Sequence, residues 1–217
     1  MEYIQRRKAL LKNLEKTKNE FNDLIKDMTP AAAYKFFKDK QWKYKYNTQE
    51  TKNEFFDMTG GRCSFCTKRI MDFNSEMTIE HIQTKVSIPS KIFEWDNLLC
   101  SCRTCNTKRN DKPYDKNKYL DPTKVKDISK YFEFKMDGTI NVAKDLTEKE
   151  KEKADYMIQM YNLDRRDLET DRKYFFRQLV NDKDYYDILK NDDKSSIRII
   201  FLSVFTYYKR RIENNGK

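Results

Sequence analysis

CRTCNTKRN, residues 102–110, sets two cysteines at C-x2-C spacing and follows them at once with an asparagine and a basic pair. Such a knuckle supplies two thiolates to one side of a tetrahedral cation and needs a second pair to close the site. CSFC, residues 63–66, is that second pair. Four thiolates complete the coordination of Zn²⁺ and leave no open position. Cys63, Cys66, Cys102 and Cys105 therefore read as a structural zinc site that staples a module with little core of its own. Cys100, in the apolar run NLLC, is either a substitute ligand or a buried thiol.

The segment between the knuckles is longer than in a plain zinc ribbon, so it must house structure of its own. It contains TIEH at 78–81, with the chain's single histidine, and WDNLL at 95–99. Glu80, His81, Asn97 and Asn106 thus bring an acid, an imidazole and two carboxamides into one short stretch. A lone histidine is more often structural than catalytic; the constellation is what points to chemistry. Phosphodiester cleavage needs a base near neutral pH and positive charge against the extra phosphate charge. Imidazole titrates in that range, and carboxylate and carboxamide oxygens are hard ligands suited to a Mg²⁺-type ion. On a strand, neighbouring Glu80 and His81 point to opposite faces, so a twist must bring both to one phosphate.

CSFC, TIEH, EWDNLL and CRTCNTKRN together resemble the HNH endonucleases of the ββα-metal type, in the subset stapled by four cysteines. The resemblance covers residues 63–111 directly. It implies His81 as general base, Glu80 and Asn106 as ligands of a catalytic Mg²⁺ or Mn²⁺, and Asn97 as the pin of the loop that orients His81. Three positions depart from the pattern. Thr84 stands where many relatives have proline, Asn110 where a glycine is common, and Asn106 where some have histidine. The last swap is expected to weaken cation affinity without abolishing it. FEWDNLL, YLDP, MDGTI and ADYMIQMYNLDRRDLETDR extend a looser resemblance, over roughly residues 55–180, to the HNH nuclease subunit of Septu and retron-linked anti-phage systems. That resemblance implies an ABC-type ATPase as partner.

The expected activity is therefore metal-dependent endonucleolytic hydrolysis, with DNA as the expected polymer. The alternatives are a stand-alone homing or restriction-type nuclease and a non-catalytic zinc-stapled binding module. Lys85, Arg103, Lys108, Arg109 and Lys112 cluster around the motifs as expected phosphate contacts, although for any single one of them a solvated basic face is the safer reading. The chain's 45 Lys and Arg against 35 acids, a net +10, suit a polyanionic partner, and a lysine-rich proteome would give the same excess.

The expected fold class is α+β: mostly helical, with a central ββα-metal module and a short β-hairpin. The expected divisions are 1–61 (helical), 62–121 (the module) and 122–217 (hairpin and helices). Ile4, Leu11, Leu14, Phe21, Leu24 and Ile25, at helical spacing, predict a helix over 2–27. Pro30 breaks that run, and AAAYKFF is a short second helix or an extension of the first. Thr51 is the expected cap of a helix carrying Phe55 and Phe56 and stopped by Gly60-Gly61. Asp137-Gly138 predicts a hairpin turn. Three C-terminal stripes follow: Ala154/Met157/Ile158/Tyr161, Leu168/Phe175/Leu179/Ile188, and Ile197/Ile200/Val204/Phe205/Tyr208. The N-terminus lacks the apolar run of a secretory leader, and IIFLSVF (199–205) is too short for a bilayer. A cytoplasmic, membrane-free protein is expected, where closely spaced cysteines serve metals rather than disulfides.

Overall fold

A computed structural model describes residues 1–6, 11–71, 76–109, 112, 114–192 and 201–215. At its centre, strand β1 (Met77–His81) pairs antiparallel with β2 (Leu98–Cys102), and helix α5 (Arg103–Arg109) follows β2 directly. The register sets Glu80 opposite Leu99 and His81 opposite Leu98. Helices α4 and α5 both pack on β2, and Leu98, Leu99 and Cys100 are all fully buried. The fold is α+β, as its sequence pattern predicts.

Among the described residues, the module is preceded by helices α1 (Lys12–Ile25), α2 (Pro30–Phe37), α3 (Lys40–Lys43) and α4 (Gln49–Thr59). The expected helix does not begin at Ile4. Residues 1–6 run as irregular chain, with the Ile4 amide donating to the Pro122 carbonyl at 2.8 Å and the Arg6 guanidinium donating to the carbonyls of Trp95 (2.7 Å) and Leu98 (3.0 Å). Pro30 begins α2 rather than only ending α1, because a proline at the first helical position loses no hydrogen bond and the Thr29 hydroxyl caps the Ala32 amide. The cap of α4 is Thr48, one turn before the expected Thr51, which is instead buried inside the helix. α4 ends at Gly60 in the left-handed conformation (φ 59°). Phe21, Phe37 and Trp42 gather around Phe93 of the β1–β2 loop, and this aromatic cluster joins the N-terminal helices to the module.

Beyond the module lie the hairpin β3 (Phe132–Phe134) and β4 (Ile140–Val142), then α6 (Glu148–Tyr161), α7 (Arg166–Asn181), α8 (Lys183–Asn191) and α9 (Leu202–Asn215). The turn between β3 and β4 needs Gly138: φ is +90°, and a Cβ there would stand 1.9 Å from the Glu169 carbonyl oxygen. α6 opens with a complete Thr147/Glu150 capping box. The second stripe splits at Asp182, which caps α8, and Ile188 lies 49% exposed while Tyr186 and Leu189 take the core positions. Val204 and Phe205 are buried as their stripe predicts, whereas Ile197 and Ile200 lie outside the described residues. Among the described residues no helix is long and apolar enough to cross a membrane.

Candidate metal and catalytic site

The first knuckle is a tight reversal. The Cys63 amide donates to the Lys68 carbonyl and the Thr67 amide to the Cys63 carbonyl, both at 3.0 Å. Thr67 adopts φ 61°, an unfavourable value for a β-branched residue, and is braced from α9: its hydroxyl lies 2.6 Å from that of Ser203 and donates to the Cys66 carbonyl at 2.7 Å. The second knuckle begins α5. The four sulfurs of Cys63, Cys66, Cys102 and Cys105 lie within 4.8 Å of one another, with Cys66 and Cys102 at 4.0 Å. Sulfurs bound at about 2.3 Å to one tetrahedral centre stand about 3.8 Å apart, so this all-thiolate cage fits Zn²⁺. Cys100, in β2, is fully buried outside the cage.

Cationic side chains from the C-terminal layer face the cage. Arg165 Nη1 lies 3.5 Å from Cys105 Sγ and also donates to the carbonyls of Tyr161 (3.3 Å) and Asn162 (3.2 Å). Arg172 is buried against the Phe134 ring (5.5 Å), and burial lowers its pKa to about 10, with the Cys66 thiolate acting in the opposite direction. Among the described residues, its Nε and Nη1 find no hydrogen-bond partner. A tetrathiolate zinc centre carries a net double negative charge, which these two guanidinium groups are placed to offset. The sequence offered no signal for either, since both belong to ordinary helical charge patterns.

His81 ends β1 and is 3% exposed. Its Nε2 lies 2.9 Å from the Ile92 carbonyl. A carbonyl only accepts, so Nε2 carries the proton and Nδ1 keeps the lone pair. Nδ1 is buried and has no partner among the described residues. Burial first, then the charges of Lys85 and Arg109, hold the imidazole pKa down to about 3, against the upward pull of the Ile92 carbonyl. The ring is neutral at physiological pH. Tyr46, between α3 and α4, meets it edge-on at 4.7 Å.

Asn97 sits at the other end of the β1–β2 loop. Its Oδ1 accepts from the Gln83 amide (2.8 Å), and its Nδ2 donates to the carbonyls of Gln83 (3.1 Å) and Lys91 (2.9 Å). Lys91 immediately precedes Ile92, the partner of His81. Thr84, at the position where proline is common, ties its own turn by accepting from the Ser87 amide at 3.2 Å and meeting the Ser87 hydroxyl at 2.7 Å.

Glu80 and Asn106 belong to facing surfaces of β1 and α5. Asn106 Nδ2 donates to Thr78 Oγ1 at 2.9 Å, which leaves Oδ1 as the atom available to a cation. Thr78 and Glu80 share a strand face, and one turn after Asn106 the Arg109 Nε stands 3.6 Å from Glu80 Oε1. Glu80 and Asn106 thus put a carboxylate on one side of this seam and a carboxamide oxygen on the other, both of them hard oxygen donors. Glu80 and His81, by contrast, leave the strand on opposite faces, toward α5 and toward Tyr46 respectively.

Two expected phosphate contacts are corrected. Arg109 is fully buried; besides Glu80 it bonds the Lys112 carbonyl at 2.6 Å. A guanidinium facing an interior carboxylate is held there by the cost of leaving that charge alone. Lys112 turns its ammonium onto the end of α6, donating to the carbonyls of Gln159 (2.8 Å) and Met160 (3.1 Å) and to Asn162 Oδ1 (2.9 Å). Arg103 and Lys108 are exposed on α5, and Lys85 lies over the Tyr46 ring at 5.5 Å. Asn110 lies outside the described residues.

Residues 63–112 match the HNH endonuclease family model. The chain is similar to Septu protein PtuB of Bacillus thuringiensis, 31% identical over 67 residues that make up 31% of this chain and 26% of that protein. It is also similar to Septu protein PtuB of Bacillus mycoides (strain KBAB4), 27% identical over 179 residues, covering 68% of this chain and 58% of that protein. The chain therefore spans 26% and 58% of these curated relatives.

Proposed function

We propose that this chain is a metal-dependent endonuclease that hydrolyses DNA phosphodiester bonds as the nuclease of an anti-phage defence system, with an ABC-type ATPase as its partner. The family match over residues 63–112 supports the nuclease, and the two relatives named Septu support the defence setting and the partner. The observation that carries the reading is a neutral His81, its Nδ1 lone pair uncommitted, at the end of the same strand whose other face sets Glu80 toward α5 and Asn106.

In this reading, His81 Nδ1 accepts a proton from the attacking water while the Ile92 carbonyl holds the ring's orientation through Nε2–H. Burial of an imidazolium is costly, and the approaching phosphodiester supplies the negative charge that offsets it. Glu80 and Asn106 Oδ1 would hold Mg²⁺ or Mn²⁺, which when bound neutralises developing charge on the phosphate and the leaving oxygen. Asn97 holds the β1–β2 loop in place behind His81. Arg103, Lys108 and Lys85 contact flanking phosphates without reading sequence. The four-cysteine cage holds Zn²⁺ as scaffold.

A second reading, a zinc-stapled binding module without catalysis, draws on the Arg109 guanidinium standing against Glu80. Incubation with supercoiled plasmid and Mg²⁺ or Mn²⁺, with and without an ABC-type ATPase partner, separates the two. The nuclease reading expects metal-dependent nicking that disappears in His81→Ala. Equal nicking by wild type and variant removes His81 from the reaction, and dependence on the ATPase distinguishes a defence effector from a stand-alone nuclease.

A further inference from the structure

The stretch YKFFKDKQWKYKY, residues 34–46, contains five lysines and six aromatic residues against one acid, and nothing in the reaction above uses it. Phe37 and Trp42 belong to the core, Tyr34, Phe36 and Tyr46 are half-buried at its edge, and Tyr44 is exposed. Tyr34 stacks on Phe37 (6.3 Å), Phe37 on Tyr46 (6.3 Å), and Tyr46 meets His81 at 4.7 Å. Ammonium groups lie over the two half-buried tyrosines of this series: Lys38 over Tyr34 at 5.2 Å and Lys85 over Tyr46 at 5.5 Å. Beside it, Lys43 lies 5.5 Å over Tyr44, which is 63% exposed.

We propose that this strip is the docking track for an unpaired DNA strand entering the nuclease site, a proposal that rests on the nuclease reading. Sequence-neutral single-strand binding combines aromatic faces on which bases stack with cations that follow the phosphates. A lysine resting on a ring is replaced there by a base at little cost, because the ammonium moves to the phosphate beside it. A paired duplex keeps its bases stacked inside and offers the strip only phosphates. The track therefore selects single-stranded or locally opened DNA, and Tyr46 is the point at which the strand reaches His81.

Fluorescence anisotropy of the full chain with labelled dT20 and with a 20-base-pair duplex, without added Mg²⁺ or Mn²⁺, tests this. Tyr44 is exposed, so its substitution leaves the core alone. Tyr44→Ala is expected to weaken dT20 binding by about tenfold and duplex binding by less than about twofold, and Tyr44→Phe to restore dT20 binding. Unchanged dT20 affinity in Tyr44→Ala, equal losses on both probes, or no dT20 binding by wild type would overturn the track. Plasmid nicking is read separately with Mn²⁺. A chain that binds dT20 through Tyr44 yet nicks neither alone nor with an ABC-type ATPase keeps the track and loses the nuclease reading; a chain that nicks while Tyr44→Ala is neutral loses the track alone.

Discussion

Asn97→Ala removes a side chain that is 5% exposed and makes three hydrogen bonds to backbone: from the Gln83 amide and to the carbonyls of Gln83 and Lys91. Each such bond contributes about 0.5–1.5 kcal/mol net, and the stranded partners sit in a loop with limited access to water. The expected loss of stability is therefore about 2–4 kcal/mol, read from urea denaturation with zinc in excess. Asn97→Asp should be no milder, because it keeps the acceptor for Gln83 but turns an oxygen toward two carbonyls. Activity should fall further than the folded fraction does. The Lys91 carbonyl adjoins the Ile92 carbonyl that orients His81 at 2.9 Å, so releasing it frees the ring. Plasmid nicking by the folded variant should drop about tenfold, equivalent to about 1.4 kcal/mol in the barrier. A stability loss below about 1 kcal/mol, or unchanged nicking by folded protein, would refute the reasoning that Asn97 acts through this loop.

Arg109→Met leaves Glu80 buried without the guanidinium 3.6 Å away and should cost about 3–5 kcal/mol in denaturation, whereas pairing it with Glu80→Gln should recover a good part of that loss. Stripping zinc with a strong chelator should unfold the module around Cys63, Cys66, Cys102 and Cys105, and circular dichroism should show a cooperative loss that added Zn²⁺ reverses. Gly138→Ala places a Cβ 1.9 Å from the Glu169 carbonyl at φ +90°, so thermal denaturation should reveal a loss of at least about 2 kcal/mol; a neutral result would mean that the hairpin sits differently on α7.

The parts of the fold legible in the sequence are those fixed by local chemistry. Two C-x2-C pairs can converge on one cation, Asp137-Gly138 can turn a chain back on itself, and Gly60 can end a helix. Ile4 failed because an apolar residue at helical spacing looks the same whether it lies on a helix or in irregular chain held by Pro122. The cap shifted from Thr51 to Thr48 because both threonines precede plausible first turns, and burial of Thr51 chose between them. Arg109 and Lys112 were read as surface charge because a basic run carries no sign of what it faces. The helical period held a partial clue: Arg109 follows Asn106 by three residues, so an Asn106 directed at β1 brings Arg109 toward β1 as well. Tyr46 carried no such clue, since its contact with His81 spans 35 residues of chain and depends on how the N-terminal helices pack.

Anomalous diffraction from crystals soaked in Mn²⁺ tests the central arrangement most directly. The expected result is a manganese peak bound by a Glu80 carboxylate oxygen and Asn106 Oδ1, with β1 turned at its end so that His81 Nδ1 comes to the phosphate side of that ion, and a separate zinc peak among the four cysteine sulfurs. Manganese bound elsewhere with the Glu80–Arg109 pair intact, or a cysteine cage that takes up no zinc, would contradict it.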